Sequence, residues 1–380
     1  MSGEPAVGED GPTLRAAADL LVAYPFQAWF YGDSIGFEGL VAATDTWGEG
    51  RWASFAHGFL RGWAARRDPW QPDDNTAPGH VMCAFCERDK DAILWDATIA
   101  LAEHLAERRR IRGVSVTFED AGRSLREPYG GVRLADHERE ILTDPGAGIY
   151  VDCLHFDPPF FAHLARITGE RSWAERAIDE ARGYGDLLLD ADTGLYHHFW
   201  LERTAAAYAL GWGRGQGWAL LGLLDLLELT DPFLPGRDEI GRRAAALAEA
   251  MLERQREDGS WSTVVQIPAS GTETSTGAFM AAAFFRGVRI GVLPADRFAE
   301  AAERAWQATL HHLPPSGRLL DVSAAVYSST ALEHYSHVPT GFLVPWGQGP
   351  VLVAAAERRR QRGGAGAART RTRRSREPEA

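Results

Sequence analysis

In YVDCLHFDPPFFAHLARITG (150–169), one carboxyl, Asp152, stands at the head of a strongly apolar helical pattern. Aspartate is common at helix starts because its side chain caps free N–H groups. Here Tyr150, Val151, Leu154 and Phe156 also surround it with apolar bulk, which disfavours a charged carboxyl and suits a general acid. A second segment, GWGRGQGW (211–218), sets three glycines and Arg214 between Trp212 and Trp218. So many glycines make a poor start for a helix needed only for packing. They offer bare backbone, a cation able to hold a carboxylate through paired hydrogen bonds, and two flat walls for sugar faces. The bland alternative is a Gly-rich helix junction. DTGLYHHFW (192–200) adds two histidines and a tryptophan after a turn, and QPDDNTAPGHVM (71–82) adds Asp73 and Asp74 before a Pro–Gly step. Taken singly, a structural histidine and ordinary turn chemistry explain these last two.

Elements that bring such separated segments together have to be helical. Apolar residues recur at three- and four-residue spacing in 13–24, 35–45, 51–66, 77–86, 91–108, 151–167, 171–188, 213–229, 237–256, 274–290, 296–311 and 341–357. Turns rich in Gly, Pro, Asp and Ser join these segments, as at 168–172 and 257–260. Some segments, such as GWALLGLLDLLEL (217–229), are apolar over much of their circumference and therefore belong inside. Others are amphipathic. Inner helices alternating with outer ones predict an all-α fold, an (α/α)6 barrel or six-hairpin toroid. Loops at one end of such a toroid converge on one cavity. The clearest strand signal is VSVTF at 114–118, and the longest irregular stretch, 112–150, suits a pocket rim. The reading is one catalytic domain over 12–357, with a flexible N-terminus at 1–11 and a basic disordered tail at 358–380.

Charge narrows the partners. The net charge is −12, yet residues 357–380 hold nine Arg against three Glu, so the tail is +6 and the remainder about −18. An acidic body repels phosphates, which argues against nucleic acid. No apolar run reaches the ~20 residues of a membrane span, and the polar N-terminus is no secretory signal. Cys83, Cys86 and Cys153 are too few for a disulfide framework, and CAFC lacks the second pair a zinc site needs. They read as buried thiols of a cytoplasmic protein.

The same segments resemble the unsaturated rhamnogalacturonyl and unsaturated glucuronyl hydrolases, glycoside hydrolase families 105 and 88, and the first of these more closely. The resemblance spans about 25–355 and is strongest from Asp152 to Trp218. The family's Asp, seven residues, Phe pattern appears as Asp152 to Phe160, and its TGL-x-x-H-x-W as Thr193 to Trp200, which selects His198 over His197. WGRGNGW appears as WGRGQGW, with Gln216 in place of Asn, and D-x-x-x-P-G as Asp74 to Gly79. QREDGSW (255–261) and TETSTGAFM (272–280) resemble the family's last substrate-side loop and helix.

The resemblance implies a hydrolase that hydrates the 4,5 double bond of an unsaturated uronic acid at the non-reducing end of a lyase-generated di- or trisaccharide. It implies Asp152 as acid and base, and Asp74 as the group that positions water or sugar. It further implies His198, Arg214, Trp212 and Trp218 as uronate ligands beside Gln216, with no metal or other cofactor. Trp29 keeps the family's distance from Gly39–Leu40 and is a candidate wall. The aromatic, histidine-bearing segment usual before the catalytic Asp is replaced by GGVRLADHEREILTDPGAG, where His137 is the candidate substitute, fifteen residues upstream of Asp152. Two other classes share the scaffold. An N-acyl-sugar epimerase would work through paired histidines, for which His197–His198 and His311–His312 are candidates. A non-catalytic sugar-binding protein would keep the tryptophans and show no activity to lose.

Overall fold

The computed structural model of the chain describes residues 11–27, 30–67 and 78–374. Its helices are Gly11–Val22 (α1), Asp33–Trp47 (α2), Arg51–Arg66 (α3), Gly79–Asp89 (α4), Ala92–Glu107 (α5), Asp136–Thr143 (α6) and Cys153–Thr168 (α7). They continue as Arg171–Leu188 (α8), Gly213–Leu229 (α9), Arg237–Glu253 (α10), Ser275–Arg289 (α11), Ala295–His311 (α12) and Pro345–Arg374 (α13). Helices α2, α4, α7, α9, α11 and α13 pack each against the next, and α13 returns to α2, closing a ring. Helices α3, α5, α8, α10 and α12 each cover the inner helix that precedes them, and α1 covers α13 from the other end of the chain. The architecture is the expected (α/α)6 barrel.

Burial explains which helix lies where. Every residue of α9 from Gly213 to Leu227 is buried, as a helix shielded on all sides requires. In α12 only Phe298, Ala301, Ala302, Ala305, Trp306 and Thr309 are buried, a single stripe at helical spacing. Close approach of inner helices uses glycine. A Cβ on Gly222 of α9 would stand 2.3 Å from the Leu154 carbonyl oxygen and 2.6 Å from the His155 Cα of α7. Backbone cannot yield as a flexible side chain does, so Gly222→Ala should cost about 1–3 kcal/mol by overpacking. Gly241 on outer α10 has nothing within 4 Å of the same position. There, Ala should instead stabilise by up to about 1 kcal/mol through helix propensity. Denaturant midpoints of the two variants check this difference in sign.

Three short strands make the departure that matters for function. Gly148–Tyr150 (β3) pairs with His197–Leu201 (β4), which pairs with Ala206–Leu210 (β5), both antiparallel. Register sets Tyr150 opposite Phe199, and the Val151 amide donates to the His198 carbonyl at 2.8 Å. This sheet joins the entry of α7 to the loop before α9, although nearly fifty residues separate them. The expected strand at 114–118 is reduced to Val114–Ser115 (β2), paired with Arg110–Ile111 (β1), with Phe118 bridging singly to Gly148. The irregular stretch holds one helix that periodicity did not reveal, α6, too short and too polar to show a clear apolar repeat.

The chain end departs from expectation as well. The boundary at 357 is not structural, because α13 continues to Arg374. Arg358 and Arg362 pair with Glu303 of α12, and Arg360 pairs with Asp45 of α2, so the first basic residues are docked on the barrel. The expected flexible segment at 1–11 lies outside the described residues up to residue 10. Among the described residues, no helix is long and apolar enough to cross a membrane.

Candidate active site

The N-termini of the inner helices gather at one end of the barrel, and a cavity of about 180 Å³ opens there. Tyr31, just before α2, and Asp152, at the cap of α7, both line it. His198 from β4 and Tyr150 from β3 join them, with Thr117, Phe118, Arg123 and Ser124 from the irregular stretch. Phe30, Cys153, Ala325, Val326 and Tyr327 are the other described lining residues.

Asp152 is 7 % exposed and makes no capping hydrogen bond, so the bland role of a helix cap does not account for it. Its Oδ2 lies 3.4 Å from His198 Nε2. On the other side of the ring, His198 Nδ1 lies 2.6 Å from the Tyr335 hydroxyl. Burial holds the Tyr335 phenol well above its usual range, so it stays protonated beside Nδ1. The imidazole thus bridges Tyr335 and Asp152 through its two ring nitrogens. Trp212 lies against the His198 ring at 4.3 Å between centroids and blocks its rotation. Burial also pushes the Tyr150 phenol up to about 12, and its hydroxyl meets Ser328 Oγ at 2.9 Å.

The glycine-rich segment forms the structure behind the cavity rather than its surface. Arg214 is fully buried, 3.2 Å from Glu273, with Nη1 donating to Ser323 Oγ at 2.7 Å. Its guanidinium lies over the rings of Trp212 and Trp346. The expected carboxylate clamp is thus occupied by the protein's own Glu273. Trp218 is fully buried against Phe279, His155 and Phe156, so it has no face to offer a sugar. Trp212 is 2 % exposed and shares its faces with His198 and Arg214. Gln216 accepts from the Tyr196 amide at 2.8 Å and donates to the Tyr196 and Trp212 carbonyls, holding the entry to β4. These four residues brace the site without lining the cavity, because α9 enters the ring deeply enough for neighbours to cover its first turn.

The other candidates fall in three places. His137 is exposed on α6 and does not line the cavity. Asp74 and Trp29 lie outside the described residues. The histidine pairs do not share the cavity. His197, one residue along β4 from His198, faces the other way to the Leu188 carbonyl at 3.1 Å, and His311–His312 end outer helix α12. Sequence reasoning missed Tyr335, Tyr31, Arg123 and Tyr327. Their segments carry no turn or periodicity signal of their own, and Tyr335 lies far from every segment singled out.

Glu38, His155 and Asp225 bring ligand atoms within 4.8 Å of one another, a spacing that could hold a metal ion. Arg286 already lies against Asp225, and His155 Nε2 is 3.1 Å from Glu38, so the cluster supplies its own counter-charges. Burial pushes the Glu38 carboxyl up, yet the facing His155 outweighs this and leaves it below its usual range.

Comparison with known proteins agrees with this architecture. The sequence profile of "Glycosyl Hydrolase Family 88" matches residues 17–362. The unsaturated rhamnogalacturonyl hydrolase YesR of Bacillus subtilis (strain 168) is 27% identical over 210 residues, 55% of this chain and 59% of YesR. An unsaturated 3S-rhamnoglycuronyl hydrolase of Alteromonas sp. (strain LOR) is 24% identical over 213 residues, 55% of this chain and 50% of the relative. The matches thus span only half to three-fifths of these two relatives. Among solved structures, a possible member of the GH105 family from Salmonella enterica superposes with a TM-score of 0.77 at 19% identity, covering 96% of this chain and 97% of that one.

Proposed function

Since the chain belongs to glycosyl hydrolase family 88, we propose that it removes a 4,5-unsaturated uronic acid from the non-reducing end of lyase-generated oligosaccharides. The observation that carries this reading is the pairing of Asp152 with His198 in the cavity. Ordinary glycosidases need two carboxyl groups, one on each side of the scissile bond. Hydration of a double bond needs one group that gives a proton and then takes one back. Asp152 donates to carbon 4, the oxygen of water bonds to carbon 5, and Asp152 regains its proton from that water. The hemiketal formed at carbon 5 opens, and the bond to the next sugar is then lost without a covalent enzyme intermediate.

Several features support the reading. The inner-helix N-termini place positive dipole ends around the cavity, which suits a substrate carrying a carboxylate. Asp74 keeps its proposed role of positioning water or sugar. Arg214 acts through its neighbours, since its charge bears on Tyr31, which lines the cavity. The three cysteines are buried, which fits a reducing compartment such as the cytoplasm.

The decisive experiment follows ultraviolet absorbance during incubation with a panel of unsaturated disaccharides. The conjugated double bond absorbs and hydration removes the signal, so absorbance should fall with at least one member. A folded protein that leaves every member unchanged overturns the proposal. Tyr335 gives a finer check. Tyr335→Phe deletes the bond to His198 Nδ1 while keeping the ring that packs there. A hydrogen bond of this kind contributes about 1–1.5 kcal/mol, so kcat should fall about tenfold with KM changed less than twofold. A rise in KM with kcat intact would mean that Tyr335 binds sugar directly.

A further inference from the structure

We propose that the Tyr327 ring is the stacking face for the sugar attached to the unsaturated uronate, which makes it a specificity-determining residue. This deepens the function proposed above and rests on it. Asp152 and Tyr327 line the same cavity but differ in exposure, 7 % against 43 %. The proposed reaction puts carbon 4 of the uronate at Asp152. In a six-membered sugar ring carbon 1 lies across from carbon 4, so the glycosidic bond leads away from Asp152 and toward the open side of the cavity. The sugar it carries comes to the exposed part of the wall, to which Tyr327 belongs. An aromatic ring suits that neighbour, because its flat apolar face matches the C–H face of a sugar while its hydroxyl edge stays in water.

Tyr327 is mounted rigidly for an exposed residue. Its carbonyl accepts from His334 Nε2 at 2.8 Å, while His334 Nδ1 accepts from the Tyr129 amide at 3.0 Å. A backbone N–H only donates, so His334 is the tautomer with its proton on Nε2. Burial pushes His334 down to about 4, which keeps the ring neutral and both bonds intact near neutral pH. One residue further on, the Ser328 amide donates to the Ser124 carbonyl at 3.1 Å, and the Ser328 carbonyl accepts from the Arg126 amide at 3.0 Å. The Arg126 guanidinium lies over the Tyr327 ring, 4.8 Å from its centre, and is itself held by the Gly122 and Leu125 carbonyls. His334 also packs edge-on against Tyr335 at 5.2 Å, and Tyr335 reaches His198. Tyr327 and the Asp152–His198 pair therefore share one support. A ring fixed before the sugar arrives loses little freedom on binding, so more of the contact is realised as affinity.

The test compares the full-length wild type, Tyr327→Ala and Tyr327→Phe on an unsaturated disaccharide and on the methyl glycoside of the same unsaturated uronate, which has no second ring. Tyr327→Ala should raise KM about five- to tenfold on the disaccharide, the size expected for one lost aromatic face. Its kcat there, and both constants on the methyl glycoside, should stay within about twofold, because the contact is made equally in the ground and transition states. Tyr327→Phe keeps the ring and should match the wild type on both substrates. An equal rise in KM on both substrates would assign Tyr327 to the uronate or to the wall itself, and no rise on either would leave it without a sugar contact. Each of these overturns the proposal while the parent reaction stands. A loss in Tyr327→Phe as large as in Tyr327→Ala would overturn stacking in favour of a hydroxyl contact. A wild type that consumes no unsaturated disaccharide removes both the proposal and the function it rests on.

Discussion

Asp152→Asn should abolish turnover, by about a thousandfold or more, while substrate still binds with nearly unchanged affinity. The estimate follows from the usual share of general acid–base catalysis, about 10²–10⁴-fold, applied to a residue proposed to give one proton and take another. The substitution conserves shape, and Asp152 makes no capping hydrogen bond whose loss would weaken α7. Its contact with His198 Nε2 can survive, because an amide offers both a donor and an acceptor. Stability should therefore hold to within about 0.5 kcal/mol, the usual spread for a substitution that opens no cavity and breaks no network. Single-turnover absorbance gives the rate, and calorimetry with an unsaturated disaccharide gives the affinity. Equal, modest losses of rate and binding would falsify the assignment, because a group acting only in the transition state lowers kcat alone.

Arg214→Ala should act on the fold before it acts on the chemistry. The guanidinium and Glu273 form an ion pair with both side chains buried, at 0 % and 2 % exposure. Breaking such a pair from one side leaves a buried charge without compensation and costs about 3–5 kcal/mol. Glu273 also accepts from the Ser275 hydroxyl at 2.7 Å and the Ser323 amide at 3.1 Å, so its displacement loosens the start of α11 and the segment after 320. Replacing both partners, as in Arg214→Met with Glu273→Gln, should recover part of the loss, since no unpaired charge remains. Denaturant unfolding of the single and double variants measures this. A single variant of wild-type stability with a raised KM would show instead that Arg214 reaches the substrate, as its sequence setting suggests.

These two residues differ in how much of their setting is local. Asp152 is a carboxyl among apolar neighbours at the head of a helix, and every part of that description is local. His198 is picked out from its neighbour His197 only by the family pattern Thr193 to Trp200. Arg214 has the same kind of signature, two tryptophans and three glycines around a cation. Even so, it serves the frame, because Glu273 lies nearly sixty residues further on.

The sequence by itself determined that the chain would close a ring of shielded helices behind amphipathic ones, and that Asp152 was a carboxyl out of place within it. Both follow from local properties: a burial stripe repeats along one helix, and a break in that repeat appears within a few residues. Only the tertiary structure decided which side of each inner-helix start faces the cavity. Rotation of α9 about its axis is set by Phe279, Ser323, Trp346 and α7, all distant in the chain. That rotation buries Arg214, Gln216 and Trp218. Pairing of β3 with β4 brings His198 to Asp152, and the fold of 320–344 brings Tyr335 behind His198. Side-chain direction at a helix end depends on partners that no local spacing encodes, so residue types announce a site while packing selects which of them line it.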